Sequence, residues 1–135
     1  MTKATYRDAR LVLQLMQLHT ALGLSEALNW LWSDQFIPDH AEFIKKYPLG
    51  SKGNIDTMKI CGYFETIGTL WKHGLINENL LFDWLAVDMV WDRIKGFALG
   101  VRQEANEPRL HENFEAMAKA ATSWSAKSAK SGTRK

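Results

Sequence analysis

The feature that most constrains the fold is a stretch in the second half of the chain where apolar side chains recur every three or four residues. This repeat consists of Leu80, Trp84, Val87, Trp91, Ile94, Ala98 and Val101. The spacing places these side chains on one face of an α-helix. Gly96 and Gly100 weaken a helix and Ala86 could mark a kink. One long helix and two shorter helices over residues 78–103 therefore both remain open.

The same periodicity predicts helices in most of the remaining chain. Their core faces consist of Leu11, Leu15, Leu18 and Leu22, of Leu24, Leu28 and Leu31, of Ile60, Phe64, Ile67 and Trp71, and of Leu110, Phe114, Met117, Ala121 and Trp124. A short helix is also predicted from Asp39 to Lys46, with acids at its start and lysines at its end. No alternating apolar and polar run indicates a strand. The sequence therefore predicts an all-α fold, a compact bundle of five to six helices.

A single domain is expected, because 135 residues with 46% apolar and 24% charged residues are typical of one globular unit. We assign residues 1–124 to this domain and residues 125–135 to a flexible basic tail of small and polar residues. The tail contains four cations and no acid, and without them the formal charge changes from +2 to about −2. Nucleic acid is therefore not an expected partner of the domain.

The cysteine content and the apolar runs bear on the location of the protein. Cys61 is the only cysteine, which excludes an intrachain disulfide and fits a reducing compartment. No run approaches the roughly 20 apolar residues that a membrane span needs, and the richest one contains Asp83 and Asp88. We therefore expect a cytoplasmic protein with no membrane span.

Several short motifs follow one another in a fixed order along the chain. They are Tyr47-Pro48-Leu49-Gly50-Ser51, Tyr63-Phe64-Glu65-Thr66-Ile67-Gly68-Thr69-Leu70, Lys72-His73-Gly74-Leu75-Ile76, Leu80-Leu81-Phe82-Asp83-Trp84, Val90-Trp91-Asp92-Arg93, and Pro108-Arg109-Leu110 with Asn113-Phe114-Glu115. In this order they resemble a bacterial family of small helical proteins called domain of unknown function 4760. The resemblance covers about residues 6 to 120, and it implies a helical domain with no established activity or cofactor.

Polar residues on the helix around residue 65 are the first candidates for chemistry. Glu65, Thr69 and His73 are four residues apart in turn, on a stripe that points away from the core face. A carboxylate that orients a histidine is a common general-base arrangement. Because eight residues place Glu65 and His73 about 12 Å apart, Thr69 or a water would have to bridge them. The competing interpretation is a solvated stripe, or a Glu65 bonded to a neighbouring helix.

Two glycines on the same helix need an explanation, because each costs roughly 1 kcal/mol relative to alanine. Gly62 and Gly68 predict either the close approach of another helix or a groove that admits a ligand beside Glu65.

No metal or cofactor site is predicted. Asp88 and Asp92 share a helix face, but Arg93 and Lys95 are adjacent, which favours ion pairs or plain solvation over a divalent metal. Histidines are scattered singly along the chain, at His19, His40 and His111, so the spacing indicates no zinc site.

Six tryptophans in a chain of this length exceed what one small core readily accommodates. Trp30 and Trp32 face different sides of their helix, so at least one of them is expected to be exposed. Exposed aromatic side chains often mark an interface or an apolar pocket. The candidates for such a surface are Trp30, Trp32, Trp71 and Trp84.

The sequence favours a non-enzymatic interaction module that forms a homo-oligomer or binds a protein partner through its apolar helix faces. The alternative is a small, hydrolase-like enzyme that uses Glu65 as base or metal ligand, with His73 and Asp83 as partners in a tryptophan-lined pocket. The sequence determines neither the reaction, nor the partner, nor the subunit count.

Overall fold

The structure is a computed structural model that describes residues 3–131, and over this range it contains seven α-helices and no strand. In chain order the helices are α1 (Tyr6–Ala21), α2 (Leu24–Leu31), α3 (His40–Lys46), α4 (Lys52–Lys72), α5 (Glu78–Trp84), α6 (Val87–Glu104) and α7 (Glu112–Ser131). The predicted all-helical fold is confirmed, whereas the number of helices exceeds the predicted five to six.

Two breaks account for the larger number of helices. Gly23 adopts a left-handed backbone conformation with φ of 67°, which separates α1 from α2. Leu85 is extended and is the C-terminal cap of α5, and Ala86 is the N-terminal cap of α6. The periodic stretch over residues 78–103 is therefore two helices, although its apolar side chains point into one core.

Helix α4 lies at the centre of the bundle, where it packs against α2, α6 and α7. Ser51 begins the helix by accepting a hydrogen bond from the backbone amide of Asn54. Its buried residues include the apolar Ile60, Phe64 and Ile67. Helix α6 packs against α3 and α7 and closes the core on the other side.

The core combines aromatic and aliphatic side chains from α2, α3, α4, α5, α6 and α7. The largest fully buried apolar side chains are Phe43, Phe97, Phe114, Leu24, Leu31, Ile60, Ile67, Leu81, Ile94, Met117 and Val87. Burying one such side chain stabilises the fold by roughly 1.5–3 kcal/mol relative to leaving it exposed. The core therefore fixes the relative positions of the six later helices.

Helix α1 lies at the edge of the bundle and packs mainly against α2. Of its predicted core face, Leu15 is buried, Leu11 and Leu22 are half-buried, and Leu18 is exposed. The prediction for Leu18 is therefore wrong, because a helix with one main neighbour has only a narrow strip of its surface covered.

Helix α7 continues past the predicted end of the domain at residue 124 and reaches Ser131. Residues 125–131 contain alanine, serine and lysine but neither glycine nor proline, so nothing in this segment interrupts the helix. Residues 125–131 of the segment that we assign to the tail are therefore helical. The last residues of that segment, 132–135, lie outside the described part of the chain.

Candidate functional site

Glu65 projects from α4 onto the first turn of α7. Its Oε1 accepts hydrogen bonds from the backbone amides of Asn113 at 3.0 Å and Phe114 at 2.9 Å, and its Oε2 accepts one from Asn113 Nδ2 at 2.9 Å. The first amides of a helix have no partner within the helix and carry the positive end of its dipole. Glu65 therefore caps a helix that is distant in the sequence, since Asn113 lies 48 residues further along the chain.

Thr69 belongs to the same junction between α4 and α7. Its hydroxyl donates to the backbone carbonyl of Glu65 at 2.9 Å and accepts from Asn113 Nδ2 at 3.2 Å. The hydroxyl proton is thus directed at a carbonyl, and it does not connect the Glu65 carboxylate with His73. This geometry matches the competing interpretation, in which Glu65 is bonded to a neighbouring helix.

The two glycines of α4 differ in their surroundings. A Cβ atom on Gly68 would lie 2.7 Å from the backbone carbon and oxygen of Asn113, whereas a Cβ atom on Gly62 would have nothing within 4 Å. Gly68 therefore permits the close approach of α7 that the Glu65 hydrogen bonds require. Gly62 faces open space, and no neighbouring helix packs against it.

His111 precedes α7 with φ of 60° and is only 6% exposed. Neither ring nitrogen has a hydrogen-bond partner among the described residues. Burial lowers the pKa of His111, the Arg102 guanidinium lowers it further, and the Glu65 carboxylate opposes both. The ring is therefore held as a neutral imidazole in the core.

Cys61 lies one turn before Glu65 on α4 and is fully buried. Burial is the main cause that raises the pKa of its thiol, and the Glu65 carboxylate raises it further. Since the thiolate is the nucleophilic form, Cys61 supplies no nucleophile near neutral pH.

The three predicted catalytic residues do not converge on one pocket. His73 is exposed at the C-terminal end of α4. Asp83 is exposed on α5, where it lines a cleft together with Lys3 and Trp124. Glu65 and His73 line neither this cleft nor the larger one beside it.

The four tryptophans predicted to form a surface occupy different environments. Trp30 is half-buried and contacts the rings of Phe36, Phe43 and Tyr47 edge-on. Trp71 donates its indole N–H to Glu78 at 3.1 Å, and Trp84 is half-buried against the core. Trp32 is 50% exposed, as expected for one member of the Trp30 and Trp32 pair. They therefore do not line a common pocket.

The described residues contain neither a cluster of possible metal ligands nor a membrane-spanning helix. Between residues 3 and 131, no three histidine, cysteine, aspartate or glutamate side chains lie close enough to hold a metal ion. Asp92 instead lies 3.6 Å from Lys95 in an exposed ion pair. Over the same range, no helix has both the length and the apolar composition that crossing a bilayer requires.

An apolar surface that the sequence analysis missed lies on the outer face of α1. Tyr6, Leu13 and Met16 are 92%, 61% and 48% exposed. Together with Ala9 and Thr20 they follow alternating steps of three and four residues, the pattern of a helix–helix seam. We call these five residues the α1 seam. The spacing is visible in the sequence, but the leucines at positions 11, 15, 18 and 22 form the stronger pattern.

These features define an all-helical domain whose central carboxylate caps a helix and whose first helix presents an apolar seam to solvent. The chain belongs to the family described as Domain of unknown function (DUF4760), which matches it over residues 4–124. This match confirms the family resemblance inferred from the sequence motifs. No curated protein and no solved structure matches the chain.

Proposed function

We propose that the domain is a protein-interaction module that forms a homodimer through the α1 seam. The observation that carries this proposal is the exposure of Tyr6, Leu13 and Met16 on the face of α1 opposite the core. A helix normally buries such a stripe against another helix, because the apolar area removed from water provides the stabilisation. A second copy of the chain supplies a helix with the same spacing.

The charges on α1 favour an antiparallel pair. Arg7 and Arg10 outnumber Asp8 in its first half, whereas no Asp, Glu, Lys or Arg occurs between Leu11 and Ser25. A parallel pair would place the two basic halves at the same end of the dimer. An antiparallel pair instead places the basic half of one helix beside the uncharged C-terminal half of the other, where the helix dipole is negative.

The antiparallel arrangement also fits the spacing of the seam. Leu13 is its middle residue, seven positions from both Tyr6 and Thr20. A two-fold axis at Leu13 pairs this leucine with its own copy, and it pairs Tyr6 with Thr20 of the second copy, as an isologous dimer requires. The seam is about 21 Å long. An interface of this length belongs to the small and weakly bound class of dimers.

Two features of the fold support α1 as a rigid docking element. The hydroxyl of Tyr63 on α4 donates to the Leu15 carbonyl at 2.7 Å, and Asp8 accepts from the Asn77 amide at 2.9 Å. These contacts hold α1 on the bundle at its first turn and at Leu15, and they leave its outer face exposed. The free and buried thiol of Cys61 fits the proposal of a reducing, cytoplasmic setting.

No comparable observation supports the enzyme alternative. A general base must reach the proton that it abstracts, but the Glu65 oxygens accept hydrogen bonds from α7. His73 and Asp83 are exposed on different helices. We therefore place the interaction module ahead of the enzyme.

Sedimentation velocity over a concentration series tests the dimer. The wild type is expected to change from monomer to dimer as its concentration rises through the micromolar range. Leu13→Glu should remain monomeric, because it places a carboxylate beside its own copy at the centre of the seam. Leu49→Glu is the matched control, since Leu49 is an exposed leucine in the loop between α3 and α4. A wild type that stays monomeric at about 500 µM, or equal dimerisation of wild type and Leu13→Glu, would contradict the proposal.

A further inference from the structure

A cleft of about 680 Å³ lies where the start of α1, the loop between α4 and α5, and the C-terminal half of α7 meet. This volume falls within the range of small-molecule binding sites. No residue of the α1 seam lines the cleft. A ligand in the cleft would therefore be independent of the proposed dimer.

Three cationic side chains from different segments line the cleft. They are Lys3 before α1, Arg7 on α1, and Lys127 on α7. None of the three forms an ion pair with another residue between 3 and 131. Arg7 interacts electrostatically with its neighbour Asp8, and Lys3 and Lys127 add further positive charge. Cations that converge on a concave surface attract an anion.

The two acidic residues of the cleft are already engaged by the fold. Asp8 accepts hydrogen bonds from the Thr5 amide at 2.8 Å and the Asn77 amide at 2.9 Å. Glu78 accepts a hydrogen bond from the Trp71 indole at 3.1 Å. Three cations and two carboxylates leave the cleft with a formal excess of one positive charge, and the hydrogen bonds hold the carboxylates in place.

The rest of the wall combines polar residues, which are Thr5, Asn77, Asn79 and Ser123, with an apolar part around Trp124 that is held in place. Trp124 donates its indole N–H to Asn79 Oδ1 at 2.8 Å, and its ring contacts Phe82 edge-on at 6.0 Å between centroids. Leu75 and Ala120 extend the apolar surface beside it. A fixed indole offers a flat surface against which a ring can pack.

We propose that this cleft binds a small anionic molecule in which a phosphate or carboxylate group is attached to a flat apolar ring. Arg7, Lys3 and Lys127 hold the anionic group, and Trp124 packs against the ring. Arg7 contributes most to recognition, because a planar guanidinium can donate two parallel hydrogen bonds to such an anion.

Titration of the full chain with phenyl phosphate, monitored by the indole N–H signals in a ¹⁵N-resolved NMR spectrum, tests the proposal. The Trp124 signal, identified by its loss in Trp124→Phe, is expected to shift. Benzoate should shift the same signal if a carboxylate is accepted. Arg7→Ala and Lys127→Ala should each weaken binding about tenfold or more. Lys119→Ala is the matched control, because Lys119 is an exposed lysine of α7 outside the cleft.

Three results would overturn the proposal. The first is no shift of the Trp124 signal with either compound at low-millimolar concentration. The second is equal weakening by Lys119→Ala and Lys127→Ala, which would indicate diffuse attraction to the surface. The third is equal affinity for inorganic phosphate and phenyl phosphate, because the ring would then contribute nothing. Unchanged melting temperatures of the variants show that the fold is intact in each comparison.

Discussion

Helices α4 and α1 are both long and amphipathic, yet they relate to the rest of the molecule in opposite ways. Helix α4 has three neighbouring helices and buries ten of its residues, whereas α1 packs mainly on α2 and buries only Leu15. A polar residue on α4 is therefore drawn into contacts with other helices, as Glu65 is with α7. On α1, even apolar residues such as Leu13 remain exposed to solvent.

The comparison teaches that an apolar stripe predicts a helix but does not predict how much of that helix is covered. The number of neighbours decides this, and it depends on the whole fold. On α4, packing against other helices constrains even Gly68 and Glu65. On α1, it constrains little more than Leu15. Substitutions in α4, in α1 and at the start of α7, which contacts α4, test this difference, beginning with the largest expected effect.

Gly68→Ala in α4 is expected to destabilise the fold by about 2–4 kcal/mol, because the added Cβ collides with the backbone of Asn113. Gly62→Ala, on the exposed side of the same helix, is expected to stabilise it by about 0.5–1 kcal/mol. Urea denaturation of the two variants gives both values. If both substitutions were stabilising, α7 would not approach α4 as closely as described.

Glu65→Ala is expected to destabilise the fold by about 2–3 kcal/mol, since it removes a charged acceptor from two helix amides and one side-chain amide. The melting temperature should fall by roughly 3–5 °C for each kcal/mol. Glu112→Ala is the control, because this acid also lies in the first turn of α7 but forms only a surface ion pair with Arg109. A Glu65→Ala variant that melts at or above the wild-type temperature would indicate that Glu65 belongs to a working site instead.

Burial of His111 predicts a dependence of stability on pH. Because burial holds the pKa of His111 below its ordinary value of 6.5, the unfolded chain binds the proton more readily than the folded chain. Stability should therefore be complete above pH 6.5 and fall as the pH drops below it, by at most about 1.4 kcal/mol per pH unit. The loss ends at the lower pKa of the folded state.

His111→Asn is expected to flatten this pH dependence, since asparagine tolerates the left-handed backbone and does not titrate. The measurement is urea denaturation at about pH 7.5 and about pH 5.5. His73→Asn is the control for the same substitution at an exposed histidine outside the core. Equal pH dependence in His111→Asn and the wild type would show that the proton is taken up elsewhere.

Leu13→Ala on α1 should produce the smallest effect, a change of less than about 0.5 kcal/mol in the stability of the monomer. Leu15→Ala, two residues further along, is the matched control and should cost about 2–3 kcal/mol because Leu15 is buried. Denaturation at a concentration where sedimentation shows only monomer separates this effect from dimerisation. Equal losses in the two variants would mean that the outer face of α1 is packed within one chain.

Much of the local structure could be predicted from the sequence. Asn77 caps α5 through its side-chain oxygen, and Asp39 caps α3 in the same way. Both caps are visible in the sequence because the cap and its partner lie three residues apart. The end of α1 at Gly23 was predictable for a similar reason, since glycine readily adopts the left-handed conformation.

The candidate site was less predictable. Glu65 was identified as a residue of interest, but its partners Asn113 and Phe114 are almost fifty residues away. The spacing of Glu65, Thr69 and His73 in the sequence fits both a solvated stripe and a cap on another helix. The sequence also offered no reason to combine Lys3 and Arg7 with Lys127, because the cleft exists only where the start of α1 and the second half of α7 meet the loop after α4.

By itself, the sequence determined the all-helical class, the caps and the family of this protein. Each of these depends on residue types within a few positions of one another or on their order along the chain. Only the tertiary structure decided which glycine of α4 contacts α7, which face of α1 is covered, and what Glu65 binds. These depend on which helices become neighbours, and burial between distant segments is a property of the whole packed chain.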